Sequence, residues 1–182
     1  MDKIQKRSLF FKRLFIAAMV FIPLKNLFLW IVYKTPFGDM ILQYVPPPTI
    51  LMGIPILAPL TPLTRMLAFL VDMIPSGINM IMLYFLVKLF DLYFQGLIFT
   101  SENVRRVRQI GITLLIGQVL FPVYDGLMSL VLTMNNPVGE RLLRITISHV
   151  EIVLFVIAFV IILVSWIMDE ARKLNEEQAL IV

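Results

Sequence analysis

The chain has 182 residues, of which 59% are hydrophobic and only 15% charged, with a mean hydropathy of +0.90. Soluble domains carry roughly 45–50% apolar residues, and so few charges cannot clothe a water-soluble surface. The formal charge of +4 gathers beside apolar stretches, which points to membrane orientation and away from direct nucleic-acid binding.

Reactive chemistry is narrowed just as sharply. Without cysteine there are no disulfides, thiolate metal sites or cysteine nucleophiles. A single histidine, His149, rules out a self-contained histidine metal cluster. No P-loop, G-x-G-x-x-G or G-x-S-x-G pattern occurs, and no nucleophile, base and orienter form a recognisable set. No catalytic residue, metal or cofactor is expected, and the chain does not read as an enzyme.

A membrane-crossing helix needs about 20 mostly apolar residues. The first such stretch, 14–33, runs from Leu14 to Tyr33 and contains Pro23, Lys25 and Asn26. It begins like a secretory leader but lacks a small-x-small cleavage pattern, so it is expected to remain as a span. The second, 76–95, follows Pro75, and the third, 107–134, contains Pro122. The fourth, 147–168, holds the nearly unbroken apolar run Ile152–Val164.

Between the first two spans, the segment 34–75 is apolar yet interrupted by Pro36, Pro46, Pro47, Pro48, Pro55, Pro59 and Pro62. Proline removes a backbone donor and blocks a continuous helix, so no span is expected there. Leu63, Met66, Leu67 and Leu70 follow helical spacing, with Arg65 and Asp72 off the stripe, which predicts a short amphipathic helix between Pro62 and Pro75. This outer segment reads as a lid packed over the helices, with a ligand-capturing loop as the alternative.

Orientation follows from the cations near the span ends. Lys3, Lys6, Lys12, Arg7, Arg13, Arg105, Arg106, Arg108, Arg172 and Lys173 lie on one side, against Lys34, Arg65, Arg141 and Arg144 on the other. The bias places both termini and the 96–111 turn in the cytoplasm. The expected architecture is an all-α membrane protein, one integral domain over 1–182. It consists of a four-transmembrane-helix bundle, an outer Pro-rich loop at 34–75 with its short amphipathic helix, and a cytoplasmic tail at 169–182.

The turn itself carries clear punctuation. Gly96 suits a tight exit from the second span, Ser101 suits an N-cap, and Glu102 suits the positive end of the next helix. Spans two and three are therefore expected as antiparallel neighbours.

Gly96, Ile98, Phe99, Thr100, Glu102, Asn103, Val107, Arg108, Ile110 and Gly111 form the pattern G-x-I-F-[ST]-x-E-N-x-x-x-[LV]-R-x-I-G. This resembles the signature of the bacterial family called domain of unknown function 2975, whose members have four predicted spans. The tail from Ala171 to Val182 is similar to that family's ending, although Ala179-Leu180 stands where many members carry Asp-Leu. The resemblance implies no established enzyme activity. It implies a bacterial inner-membrane protein, and members often accompany a small helix-turn-helix transcription regulator.

Ionisable groups inside spans are costly and mark functional or helix-locking positions. Lys88, Asp91 and Gln95 continue one face of the second span with Tyr84, and Asp91 is placed to pair with Lys88 or Arg108. Gln118, Pro122, Asp125 and Ser129 repeat that spacing on the third span. Asp125, Glu151, His149 and Lys25 fall at similar depth and form an expected intramembrane polar cluster, either a helix lock or an ion or small-ligand site. Trp30, Trp166 and Tyr33, near span ends, read as an aromatic belt. No G-x-x-x-G motif joins Gly111, Gly117 and Gly126.

Two functional readings follow. In the first, the protein is a signalling module that binds or sequesters a soluble transcription regulator through Glu102, Arg105, Arg106, Leu174, Glu176, Glu177 and Leu180. In the second, it is a small transporter or channel using Lys25, Asp125 and Glu151, which requires a homo-oligomer because four spans are few. The lipid bilayer is a partner in both.

Overall fold

The computed structural model describes residues 3–42, 53–98, 100–147 and 149–181, without the side chains of 3, 41, 42 and 179–181. Pro46, Pro47 and Pro48 of the loop, Phe99 of the turn motif and the side chain of Leu180 thus lie outside the described residues. Five helices follow in order: α1 (Lys3–Val32), α2 (Pro36–Leu42), α3 (Pro62–Phe94), α4 (Ser101–Thr133) and α5 (His149–Ile181). No strand occurs among the described residues. α1, α3, α4 and α5 are each long and apolar enough to cross a bilayer, and this is a multi-pass membrane protein.

The helices outrun the expected spans. α1 begins eleven residues before Leu14, and α5 continues thirteen beyond Met168. The hydropathy of the lipid-crossing part sets the predicted bounds, whereas backbone hydrogen bonding propagates through charged turns on either side. The largest difference is at Pro75. The predicted amphipathic helix over 62–75 forms, but it is continuous with the second span as one 33-residue helix. The Pro75 ring removes one amide and leaves the Val71 carbonyl without its usual donor; that single loss does not end the helix.

α2 was not foreseen, yet its start has a clear cap. Thr35 Oγ1 accepts the Gly38 amide at 3.0 Å, and Pro36 takes the first helical position. The corner with α1 is tight enough that a Cβ on Gly38 would sit 1.8 Å from the Val32 carbonyl oxygen.

Contacts divide the chain into two compact units. The first comprises residues 1–20, 78–119 and 148–182. Within it α1 and α3 run antiparallel, with the Phe11 and Phe15 rings on Phe90 at 5.3 and 5.4 Å. α4 and α5 approach closely at Gly111, where a Cβ would lie 2.8 Å from Ile162 Cγ1. A small residue is required at that point even though no G-x-x-x-G repeat announces it.

The second unit comprises residues 21–77 and 120–147. Its core is Trp30, Tyr33, Ile54, Ala68, Tyr124, Met128 and Leu132. Ile54, Ile56 and Leu60 from the segment between α2 and α3 pack on that core, so the described part of the loop forms a lid within this unit.

Candidate functional site

Polar side chains concentrate in the second unit, where they do two jobs. The first is to hold a non-helical segment against α4. Asp125, Ser129 and Thr133 stand one turn apart on α4 and are all fully buried. Asp125 Oδ2 accepts the Thr146 amide at 2.8 Å, Ser129 Oγ the Arg144 amide at 2.9 Å, and Thr133 Oγ1 the Leu142 amide at 3.0 Å. Four residues of helix rise about 6 Å, while two residues of extended chain advance about 6.6 Å. The stripe is therefore commensurate with alternate amides of a chain laid along it. Gly126 keeps the approach open, since a Cβ there would meet Leu143 Cδ1 at 3.3 Å. In an apolar surround every unpaired amide is costly, and this stripe satisfies three.

Asp125 also receives Arg144 Nε and Nη2 on Oδ1, at 3.3 and 3.0 Å. Among the described residues its bonds go to Arg144 and Thr146. The expected counter-ion was Lys25, but Lys25 is exposed and makes no ion pair among the described residues. The cation comes instead from fewer than twenty residues downstream, because the loop returns along α4. His149 and Glu151 belong to the other unit, at the exposed and half-buried first turn of α5.

The second job is to tie α1, α3 and α4 together. Asp72 accepts from Trp30 Nε1 at 3.1 Å and from the Tyr124 hydroxyl at 3.0 Å. One turn along, Asn26 Nδ2 donates to Ser76 Oγ at 2.6 Å. Trp30 is thus more than an aromatic-belt residue. Arg65 Nη1 donates to the carbonyls of Trp30, Ile31 and Tyr33, capping the negative end of α1. Asn136, only 2% exposed, accepts the Leu57 and Ala58 amides and donates to the Pro55 and Glu140 carbonyls, pinning the lid to the end of α4. Sequence reading missed Asn136 entirely. The only available signal was the Asn135-Asn136-Pro137 turn.

Two cavities of about 300 Å³ border this unit and share Arg65. The first also contains Lys34 and the chain from Ile56 to Leu60; the second is apolar, with Leu27, Trp30, Ile31, Met66 and Phe69.

In the first unit the α3–α4 turn bears out the glycine expectation. Gly96 has φ +80°, with its amide on the Tyr93 carbonyl and the Leu97 amide on that of Leu92. That pair of bonds is a Schellman motif. The cap lies one residue earlier than expected: Thr100 Oγ1 receives the Asn103 amide, while Ser101 opens the helix. Asn103 Nδ2 donates to the Leu97 carbonyl at 2.6 Å, so the Glu-Asn pair of the motif is partly turn architecture.

Asp91 pairs with Lys12 on α1, not with Lys88 or Arg108. Gln95 donates to the same carboxylate, Lys88 lies 5.7 Å from the Tyr84 ring centroid, and Arg108 Nε donates to Ser165 Oγ. Sequence distance hid Lys12, which the antiparallel packing of α1 and α3 brings near. Glu102 pairs with both Arg105 and Arg106. Arg105 is exposed, but Arg106 turns inward, 16% exposed and bonded to Gln109. On the tail, Leu174, Glu176 and Glu177 are exposed. Arg172 joins Asp169 to Glu176, so much of the tail charge is paired along the helix itself.

No curated protein and no solved structure matches the chain. The family model described as a protein of unknown function, DUF2975, matches residues 42–182. That stretch holds the turn motif and three of the four long helices, and this multi-pass membrane protein belongs to the DUF2975 family.

Proposed function

We propose that this protein is a regulatory module of the bacterial inner membrane, with both termini in the cytoplasm, that holds a soluble helix-turn-helix transcription regulator at the membrane surface. The observation carrying this reading is the length of α5. Its 33 residues extend about 50 Å, against a hydrocarbon thickness of about 30 Å. The surplus is a charged helical stretch after Met168, on which Leu174 stands 53% exposed. Ion pairs of Arg172 with Asp169 and Glu176 stiffen that stretch at i+3 and i+4 spacing. An exposed leucine on a stiffened polar helix is a ready anchor for a partner groove.

The charge bias of the chain supports the cytoplasmic placement, and Arg105 adds an exposed cation in the same unit. Engagement of Asp125 by Arg144 and Thr146 favours a locking role for that residue over ion conduction. The experiment is co-purification of the full-length protein from membranes with a neighbouring helix-turn-helix regulator. Leu174→Glu, and separately removal of residues 170–182, is expected to release the regulator without reducing membrane insertion. Undiminished recruitment by both variants overturns the reading.

A further inference from the structure

We propose that the cleft between the end of α1 and the start of α3 binds an anionic phospholipid, with its phosphate beside Lys34 and Arg65 and an acyl chain along the neighbouring apolar cavity. Two cavities of about 300 Å³ meet at one side chain, Arg65. One contains both cations, and the other is walled by Leu27, Trp30, Ile31, Met66 and Phe69. A charged compartment beside an apolar one, with Arg65 lining both, matches an amphiphile with an anionic head.

The guanidinium is pre-positioned. All three of its bonds to the end of α1 use Nη1, which leaves Nε and Nη2 without partners among the described residues. A planar guanidinium presents such free donors well to phosphate oxygens. Lys34 follows α1 in the left-handed conformation, φ 56°, and its exposed ammonium makes no ion pair among the described residues. Among the described residues neither Asp72, which accepts from Trp30 and Tyr124, nor Asp39 forms a salt bridge with Lys34 or Arg65. The Leu57 and Ala58 amides lining the same cavity are already taken by Asn136, so anion affinity rests on the two side chains.

The apolar compartment selects a lipid over a free anion. Leu27, Ile31 and Met66 are 45–61% exposed at the end of a membrane-crossing helix, where acyl chains would cover them.

The test is native mass spectrometry of the full-length protein, released from nanodiscs of equal parts phosphatidylglycerol and phosphatidylcholine. Retained phosphatidylglycerol is expected to exceed phosphatidylcholine. Lys34→Gly, which removes a charge and relieves the positive φ, is expected to lower that retention about fivefold, the effect of one surface cation. Lys6→Gln, an equal charge change on another unit, is expected to leave it nearly unchanged. Arg65→Lys keeps the charge but loses the fork, and is expected to weaken retention less than Arg65→Gln. Equal retention of the two lipids, or equal losses for Lys34→Gly and Lys6→Gln, overturns the proposal. So does full competition by millimolar inorganic phosphate, which would identify a free-anion site only. The regulator experiment is independent of these outcomes, because its variants lie on α5.

Discussion

Asp125 and Arg144 are 19 residues apart in sequence, yet the guanidinium Nη2 lies 3.0 Å from a carboxylate that is fully buried. The pair fastens the segment after α4 back along that helix. Removing one member of a buried pair typically costs about 3–5 kcal/mol, because the other is left uncompensated. Asp125→Ala should therefore lower the thermal midpoint of the purified protein substantially. Asp125→Asn retains an acceptor and should cost less. A midpoint unchanged by the alanine variant would show that the bonds contribute nothing net.

Asp72 on α3 ties α1 and α4 to its own helix through neutral donors, Trp30 and Tyr124. Asp72→Leu strands both, at about 1–3 kcal/mol for each buried group left unpaired. Trp30 emission, read in a Trp166→Phe background, should shift as its indole N–H loses its acceptor. Tyr124→Phe alone should weaken stability by less and leave the indole signal in place.

Gly111 faces α5, where a Cβ would come within 2.8 Å of Ile162 Cγ1 and 3.2 Å of its backbone nitrogen. Gly111→Val is expected to destabilise by about 1–3 kcal/mol through overpacking. Pairing it with Ile162→Ala, which removes the flexible half of the clash, should recover part of the loss. Failure of that double variant to recover any stability would place the strain in the backbone contact.

Gly96 holds φ +80° in the turn between α3 and α4, with open space where a Cβ would be. Gly96→Ala should cost about 1–2 kcal/mol from conformation alone. Gly96→Asn should cost less, since asparagine tolerates that region. Denaturation midpoints in detergent order the three proteins; an alanine variant as stable as the parent would contradict the Schellman geometry.

Gly38 illustrates a different constraint, because its φ is ordinary and the limit is steric. A Cβ would sit 1.8 Å from the Val32 carbonyl oxygen, so Gly38→Ala must displace α2 from the end of α1. Amide exchange over residues 38–42 should rise, while exchange in α4 stays as it was. Unchanged protection in α2 would show that the corner relaxes locally.

Local and compositional signals made much of this protein legible. Four apolar runs identified the four long helices, because a bilayer demands that length and composition. Gly96 announced its turn, since a left-handed position favours glycine wherever it occurs. The signature beginning at Gly96, with the four spans and the tail from Ala171 to Val182, pointed to the family whose model matches residues 42–182. Even the stripe of Asp125 and Ser129 was visible at one-turn spacing, though its third member Thr133 and its partner chain were not.

What the tertiary structure decided was pairing. Lys12 rather than Lys88 meets Asp91, Arg144 rather than Lys25 meets Asp125, and Ser165 rather than Asp91 meets Arg108. Helical spacing gives the face a charge occupies, but not which distant residue arrives there, because that depends on antiparallel register and loop return. Pro75 shows the same limit from the other side: one missing amide is a local fact, while continuity of α3 reflects all the remaining bonds and packing around it. Composition and local stereochemistry determine which segments enter the bilayer and how they turn. Register determines which buried charges find partners, and only the folded chain contains that information.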